Sequence, residues 1–236
     1  AGIAAAALAL LVARRDVIAD AARAGAATPA HAAAGNSLGF LASGAVWMCF
    51  AFFFVSTMAF GILQSFAPSA LHHVYGMGIG LATSCLTAYL VGSAAGMITG
   101  GFLAARSADN DMLIARALAL SAVVAAFIAS GWPPAWALVA LMAIMGYGVG
   151  IAGPNRDLLV RKAATARFGK ASFGRVYGFV YSGLDAGMAL APLIFGRLMD
   201  AGRFHWVLAG VAVLQTFAIL TALRVGTSAR QAPAPH

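Results

Sequence analysis

Six apolar runs, at about 44–66, 79–104, 113–131, 135–154, 176–198 and 205–223, constrain this chain more than any other feature of its sequence. Each is long enough to cross about 30 Å of hydrocarbon as a helix. Hydrophobic residues make up 62% of the chain and charged residues 9%, against about a quarter charged in soluble domains. A single water-soluble core could not hide that much apolar surface and still leave a polar shell. The fold class expected is therefore all-α, a polytopic transmembrane helix bundle whose solvent is the lipid bilayer.

The domain plan follows from the gaps. Residues 1–13 form an apolar run too short to span, followed rather than preceded by Arg14 and Arg15. This order does not suit a signal peptide, and the run reads as the end of a truncated helix. Residues 14–43, rich in Ala, Gly and Pro with both signs of charge, read as a cytoplasmic linker. The six complete spans occupy 44–225, and 226–236 reads as a disordered cytoplasmic tail. Pro68, the pair Pro133 and Pro134, and Pro154 read as breakers between spans.

Basic residues fix the expected orientation, because Lys and Arg in short loops are held in the cytoplasm. With the first segment ending inside, Arg14, Arg15, Arg23, Arg106, Arg116, Arg156, Arg161, Lys162, Arg167, Lys170, Arg175, Arg224 and Arg230 all fall on the inner side. Of the 15 basic residues only Arg197 and Arg203 fall outside. This segregation requires all six crossings to be placed with the right parity. It also accounts for the net charge of +8 without a nucleic acid, since the charges lie between spans, facing anionic headgroups. The inner loop from Asn155 to Arg175 is the densest basic patch and reads as a topology anchor.

A helix end, a long linker and six spans with both ends inside resemble the C-terminal half of a major facilitator superfamily (MFS) transporter. Gly100-Gly101-Phe102-Leu103-Ala104-Ala105-Arg106 is similar to that family's cytoplasmic signature between adjacent helices, with Ala105 where an acidic residue often lies. The segment from Gly174 to Asp200 resembles the family's penultimate helix. Its Asp185-x-Gly187-x-x-x-Ala191-Pro192-x-x-x-Gly196 is similar to the glycine-proline motif of antiporter members, carried there by the symmetry-related helix of the first half. The resemblance implies secondary active transport by alternating access, here in a fragment lacking an N-terminal six-helix half. Apolar walls with a single acid point to proton-driven efflux of a small organic solute, with anion uptake as the alternative, and the membrane expected is a bacterial inner membrane.

Asp185 is the one acidic residue deep within a span. A carboxylate near the bilayer centre costs about 2.5–3.5 kcal/mol on insertion scales, so it faces a polar cavity, finds a partner or takes up a proton. Gly178, Ser182, Asp185, Ala189, Pro192 and Gly196 follow steps of three or four and share one arc, with Tyr181 beside it. That arc is expected to line a central cavity, with Asp185 coupling protons or binding a cationic or hydrogen-bonding substrate. The alternative is a structural carboxylate that caps neighbouring backbone. On the first span, Thr57 and Gln64 lie two turns apart beside Phe53 and Phe60, as polar contacts for a solute or between helices.

Close packing has its own signature. Gly92, Gly96 and Gly100 repeat every four residues on the second span, and Gly183, Gly187 and Ala191 do so opposite Asp185, patterns that let backbones approach. Gly146, Gly148, Gly150 and Gly153 precede Pro154 on the fourth. Together with Pro192 and the inner residues Arg106 and Arg156, these positions serve packing or gating. Arg156 and Asp157 are placed to pair across an inner gate. His72 and His73 read as solvated residues of an outer loop.

Enzymatic chemistry is not expected. There is no His-Glu-x-x-His, no Gly-x-Ser-x-Gly and no second intramembrane carboxylate beside Asp185. Lys162 and Lys170 lie in a loop, so no retinal Schiff base forms in the bundle, and no phosphate-binding loop of an ATP-driven pump is present. Cys49 and Cys85 sit in different spans at no metal-ligand spacing, so neither metal nor cofactor is expected. The competing function is a non-transporting membrane assembly or scaffold subunit.

Overall fold

The computed structural model describes residues 44–106 and 110–230; the truncated helix and linker expected over 1–43 lie outside the described residues. The elements are α1 (Gly44–Tyr75), α2 (Ile79–Arg106), α3 (Asn110–Ala129), a single 3-10 turn (Ala135–Ala137), α4 (Leu138–Asp200) and α5 (Phe204–Arg230). No strand occurs among the described residues. Six stretches are apolar and long enough to cross a bilayer: Val46–Tyr75, Ile79–Arg106, Met112–Ala129, Ala135–Asn155, Val176–Asp200 and Phe204–Arg224, hereafter spans 1 to 6. The all-α membrane bundle expected from the sequence is therefore the architecture observed.

Two prolines do not break helices as expected. α1 continues through Pro68 to Tyr75, which puts His72 and His73 on its last turn rather than in a loop. α4 runs helically through Pro154 and the whole of 155–175, the stretch read as an inner loop. The last helix likewise continues to Arg230, into the stretch read as tail. Proline removes one helical hydrogen bond, but abandoning the helix in lipid would leave several backbone groups unpaired, so helix persists. Beyond Pro154 the sequence is rich in Ala, Leu, Arg and Lys, all strong helix formers.

α4 is not a straight rod. A straight helix of its 63 residues would be about 95 Å long. Yet Leu138 at its start and Leu198 and Met199 at its end pack on one and the same apolar cluster. Near its middle, Ala152 and Val176 share the second cluster. Spans 4 and 5 are thus two limbs of one element that doubles back between them.

Three other connections are tight. Gly76, Gly131 and Gly202, each with positive φ, sit between spans 1 and 2, 3 and 4, and 5 and 6. At the last of these Gly202 N–H donates to Met199 O (3.0 Å) and Arg203 N–H to Leu198 O (2.8 Å), a Schellman cap that requires the left-handed residue in between. All three turns lie at the end of the bundle away from Arg106 and Arg116. That end is sealed by side chains too: Tyr75 Oη donates to Ile128 O, His205 Nδ1 lies 3.0 Å from Ala129 O, and the His73 ring stacks on Phe204 at 4.1 Å.

Glycine sets the pairing of the long helices. A Cβ at Gly92, Gly96 or Gly100 of span 2 would fall on the backbone of Ala143, Tyr147 or Ile151 of span 4, and one at Gly146 or Gly150 of span 4 on Tyr89 or Ser93 of span 2. The register advances in the same sense on both helices, so the pair is parallel and backbone touches backbone over several turns. Spans 1 and 5 pair in the same manner: a Cβ at Gly183 or Gly187 would meet Phe50 or Phe54, and one at Gly61 would meet Ala191. Span 3 packs along span 6. Spans 1–3 and 4–6 therefore play corresponding parts, span 1 with span 5 as span 4 with span 2. Because spans 1 and 4 run in opposite directions, the repeat is inverted.

The surface is that of a protein in lipid. Phe102, Val123 and Leu193 are each 67% exposed. All four tryptophans lie near span ends: Trp47 at the start of span 1, Trp132 and Trp136 around the turn into span 4, and Trp206 at the start of span 6. This is where indole rings settle in a bilayer. Exposed hydroxyls such as Thr83, Ser84, Thr87 and Thr216 donate to the carbonyl four residues earlier in their own helices. No polar group is then left open to hydrocarbon at these positions.

Candidate functional site

Between the two interlocked pairs lies a cleft of about 450 Å³. Span 1 contributes Phe52, Ser56, Thr57 and Phe60 to it, and span 5 contributes Leu184, Asp185 and Met188. The facing wall is Ser93 and Met97 of span 2, Leu118 of span 3, and Val149, Gly150, Ala152 and Gly153 of span 4. The glycine contacts explain why the walls are where they are: with Gly187 against Phe54 and Gly183 against Phe50, Asp185 is held at the level of Phe52. Asp185 is exposed and lies nine residues into its span, about 14 Å along the helix from Val176 and about 22 Å from Asp200. The carboxylate is thus well inside the apolar zone.

Of the residues expected to form the site, the cleft gathers Asp185 and Thr57. Thr57 is buried and its hydroxyl donates to Phe53 O at 2.8 Å, leaving the oxygen as an acceptor. The other three lie elsewhere. Gln64 is exposed and outside the cleft, because two further turns carry it past the pocket. Tyr181 accepts a hydrogen bond from Tyr177 Oη (2.7 Å), packs its ring on Phe53 and adjoins the second core cluster. Ser182 is exposed and donates to Phe179 O at 2.6 Å. Phe53, expected beside Phe60, is fully buried, and only Phe60 reaches the cleft. The arc of span 5 carrying Gly178, Ser182, Asp185, Ala189 and Pro192 is exposed, while its opposite strip of Gly183, Gly187 and Ala191 is buried.

Of the residues expected to serve packing or gating, Pro192 is exposed. Gly92, Gly96, Gly100 and Gly187 all occupy backbone contacts that admit no side chain. Arg106 is exposed at the end of span 2. The side chain of Arg156 is outside the described residues. Its neighbour Asn155 is fully buried, with Nδ2 donating to Gly100 O (3.2 Å) and Ile151 O (2.8 Å), and so ties spans 2 and 4 at that end.

Several cleft residues were not legible as such. Ser56 stands beside Thr57, and its Oγ is closed off from the surface with no hydrogen-bond partner. Ser93 lies inside the glycine strip of span 2, where it reads as packing. Pro154 and Pro192 had a signal that spacing alone would have given. Each removes the N–H that would bond the carbonyl four residues earlier, and those residues, Gly150 and Met188, both line the cleft.

No described cation pairs with Asp185, and among the described residues no group of His, Cys, Asp and Glu is placed to hold a metal. No family model matches the chain, and no curated protein does.

Proposed function

We propose that this chain is the six-span half of a secondary transporter of the MFS kind, moving a small organic solute by alternating access with protons as coupling ion. The observation that carries the reading is one exposed carboxylate, Asp185, in a cleft at the seam between two glycine-locked helix pairs. Inverted repeats of three spans, with a site where the repeats meet, are the build of many transporters, and rigid pairs flanking a soft seam suit rocking motions. A scaffold subunit has no need of a carboxylate at this depth without a partner among the described residues, since such a group costs insertion energy. The exposed small-residue arc of span 5 is the surface on which a second six-helix half would complete the pathway. In this reading the end carrying Arg106 and Arg116 faces the cytoplasm of a bacterial inner membrane.

The test is proton movement in vesicles. Full-length protein in vesicles with an entrapped pH dye is offered amines, sugars and carboxylates in turn. A solute that drives proton flux through the wild type is expected to drive at least about tenfold less through Asp185→Asn, the scale of losing a charge interaction of ~1.4 kcal/mol. If no solute moves protons, or if Asp185→Asn moves them as well as the wild type, the coupling role is abandoned and the scaffold reading replaces it.

A further inference from the structure

We propose that the cleft binds a lipophilic organic cation, with its positive charge against the Asp185 carboxylate and its apolar body between Phe60, Met97 and Met188. The assignment of class rests on the reading of this cleft as the solute site. It follows from counting what the walls can donate and accept.

Among the described residues the cleft holds one charged side chain, and it is negative; no described Lys, Arg or His lines it. Its hydroxyls add acceptors. Thr57 has already spent its proton on Phe53 O, the Ser93 hydroxyl can turn its oxygen to a cation, and Ser56 Oγ is closed off and takes no part. Backbone adds more, because Pro154 and Pro192 release the helical bonds to the carbonyls of Gly150 and Met188. An anion would meet a carboxylate and a set of oxygens with no described cation to offset them, at a cost in desolvation and repulsion that a cation avoids. A neutral polar solute would leave Asp185 unpaired. A cation pairs the carboxylate, and the remaining oxygens solvate it.

The rest of the wall is apolar and soft. Phe60 is a half-buried ring on the wall, a group able to attract a cation, while the buried Phe52 closes the wall behind it, and Met97 and Met188 adapt their shape to an irregular hydrophobic body. A volume of about 450 Å³ lies within the range of pockets for small organic molecules. An inorganic cation such as sodium would not use this room, and it would need a closer shell of oxygens than a cleft so largely apolar supplies.

The experiment uses a pair of probes nearly identical in shape and opposite in charge, tetraphenylphosphonium and tetraphenylborate. Binding of each to the purified full chain in detergent is measured by equilibrium dialysis, against protein-free micelles. Saturable binding of tetraphenylphosphonium near one per chain is expected, weakened roughly tenfold or more in Asp185→Asn and largely recovered in Asp185→Glu, as for loss and return of a charge pair. Asp185 is exposed, so Asp185→Asn folds, and an unchanged melting temperature verifies it. Equal saturable binding of tetraphenylborate, or tetraphenylphosphonium binding that Asp185→Asn leaves intact, overturns the proposal. The two readings fail separately: proton-coupled movement of an anionic solute would overturn the cation class and leave transport standing. Charge-selective binding in a chain that moves no protons would do the reverse.

Discussion

Adjacent glycines in span 2 show how finely single residues are specified. A Cβ at Gly100 would stand 2.7 Å from the Cα of Ile151, whereas one at Gly101 would meet nothing within 4 Å. Gly100→Ala is therefore expected to destabilise the protein by about 1–3 kcal/mol through overpacking. Gly101→Ala is expected to leave it unchanged or stabilise it by up to about 1 kcal/mol through helix propensity. Thermal unfolding of the two variants in one detergent checks the opposite signs. The four-residue spacing made this strip readable in the sequence, because smallness on one helical face has few other uses in lipid. Gln215 is a different case: it is buried in span 6 and its Oε1 has no partner. Gln215→Met, close in volume, is expected to stabilise by about 1 kcal/mol or more by removing that unpaired acceptor, as the same unfolding measurement would show. The site was only half legible at this scale. Asp185 announced itself by the cost of a carboxylate in an apolar run. Gln64, Tyr181 and Ser182 shared its polarity, but which face of a helix turns to a cleft depends on partners that helical spacing does not name.

At the scale of elements, the spans were legible and their connections were not. Run length fixes a crossing because the bilayer fixes a length, and the observed spans agree with the runs to within a few residues except at the end of span 1, which extends to Tyr75. Pro68 and Pro154 misled because proline is read with water as solvent, where broken helix can be hydrated; in lipid the helix holds. The doubling back of α4 was hidden for a related reason, since helix formers on both sides of Pro154 disguise a reversal that only tertiary contact reveals. That reversal makes a prediction. Ile144 and Leu193 are both exposed, on the two limbs and six or seven residues from their outer ends. A straight helix would separate them by roughly 70 Å or more. Spin labels at Ile144→Cys and Leu193→Cys, in a chain whose own two cysteines are replaced by alanine, are expected to lie within about 40 Å, a few helix spacings of 8–10 Å. A pulsed dipolar distance near 70 Å would refute the doubled element.

For the whole molecule, the inverted relation of spans 1–3 to spans 4–6 emerges from who packs on whom. Sequence shows the two small-residue strips, on spans 2 and 5, but not that each docks on the first helix of the other repeat. Everything functional above depends on six crossings of alternating direction, with the basic end on one side and the three tight glycine turns on the other. Single cysteines in place of Arg106, Trp132, Gly174 and Arg203, in the same cysteine-free chain, probe both ends with a membrane-impermeant maleimide in sealed cells and in inverted vesicles. Arg106→Cys and Gly174→Cys are expected to react only in inverted vesicles, and Trp132→Cys and Arg203→Cys only in intact cells. Reaction of Arg106→Cys and Trp132→Cys from one and the same side would contradict the account.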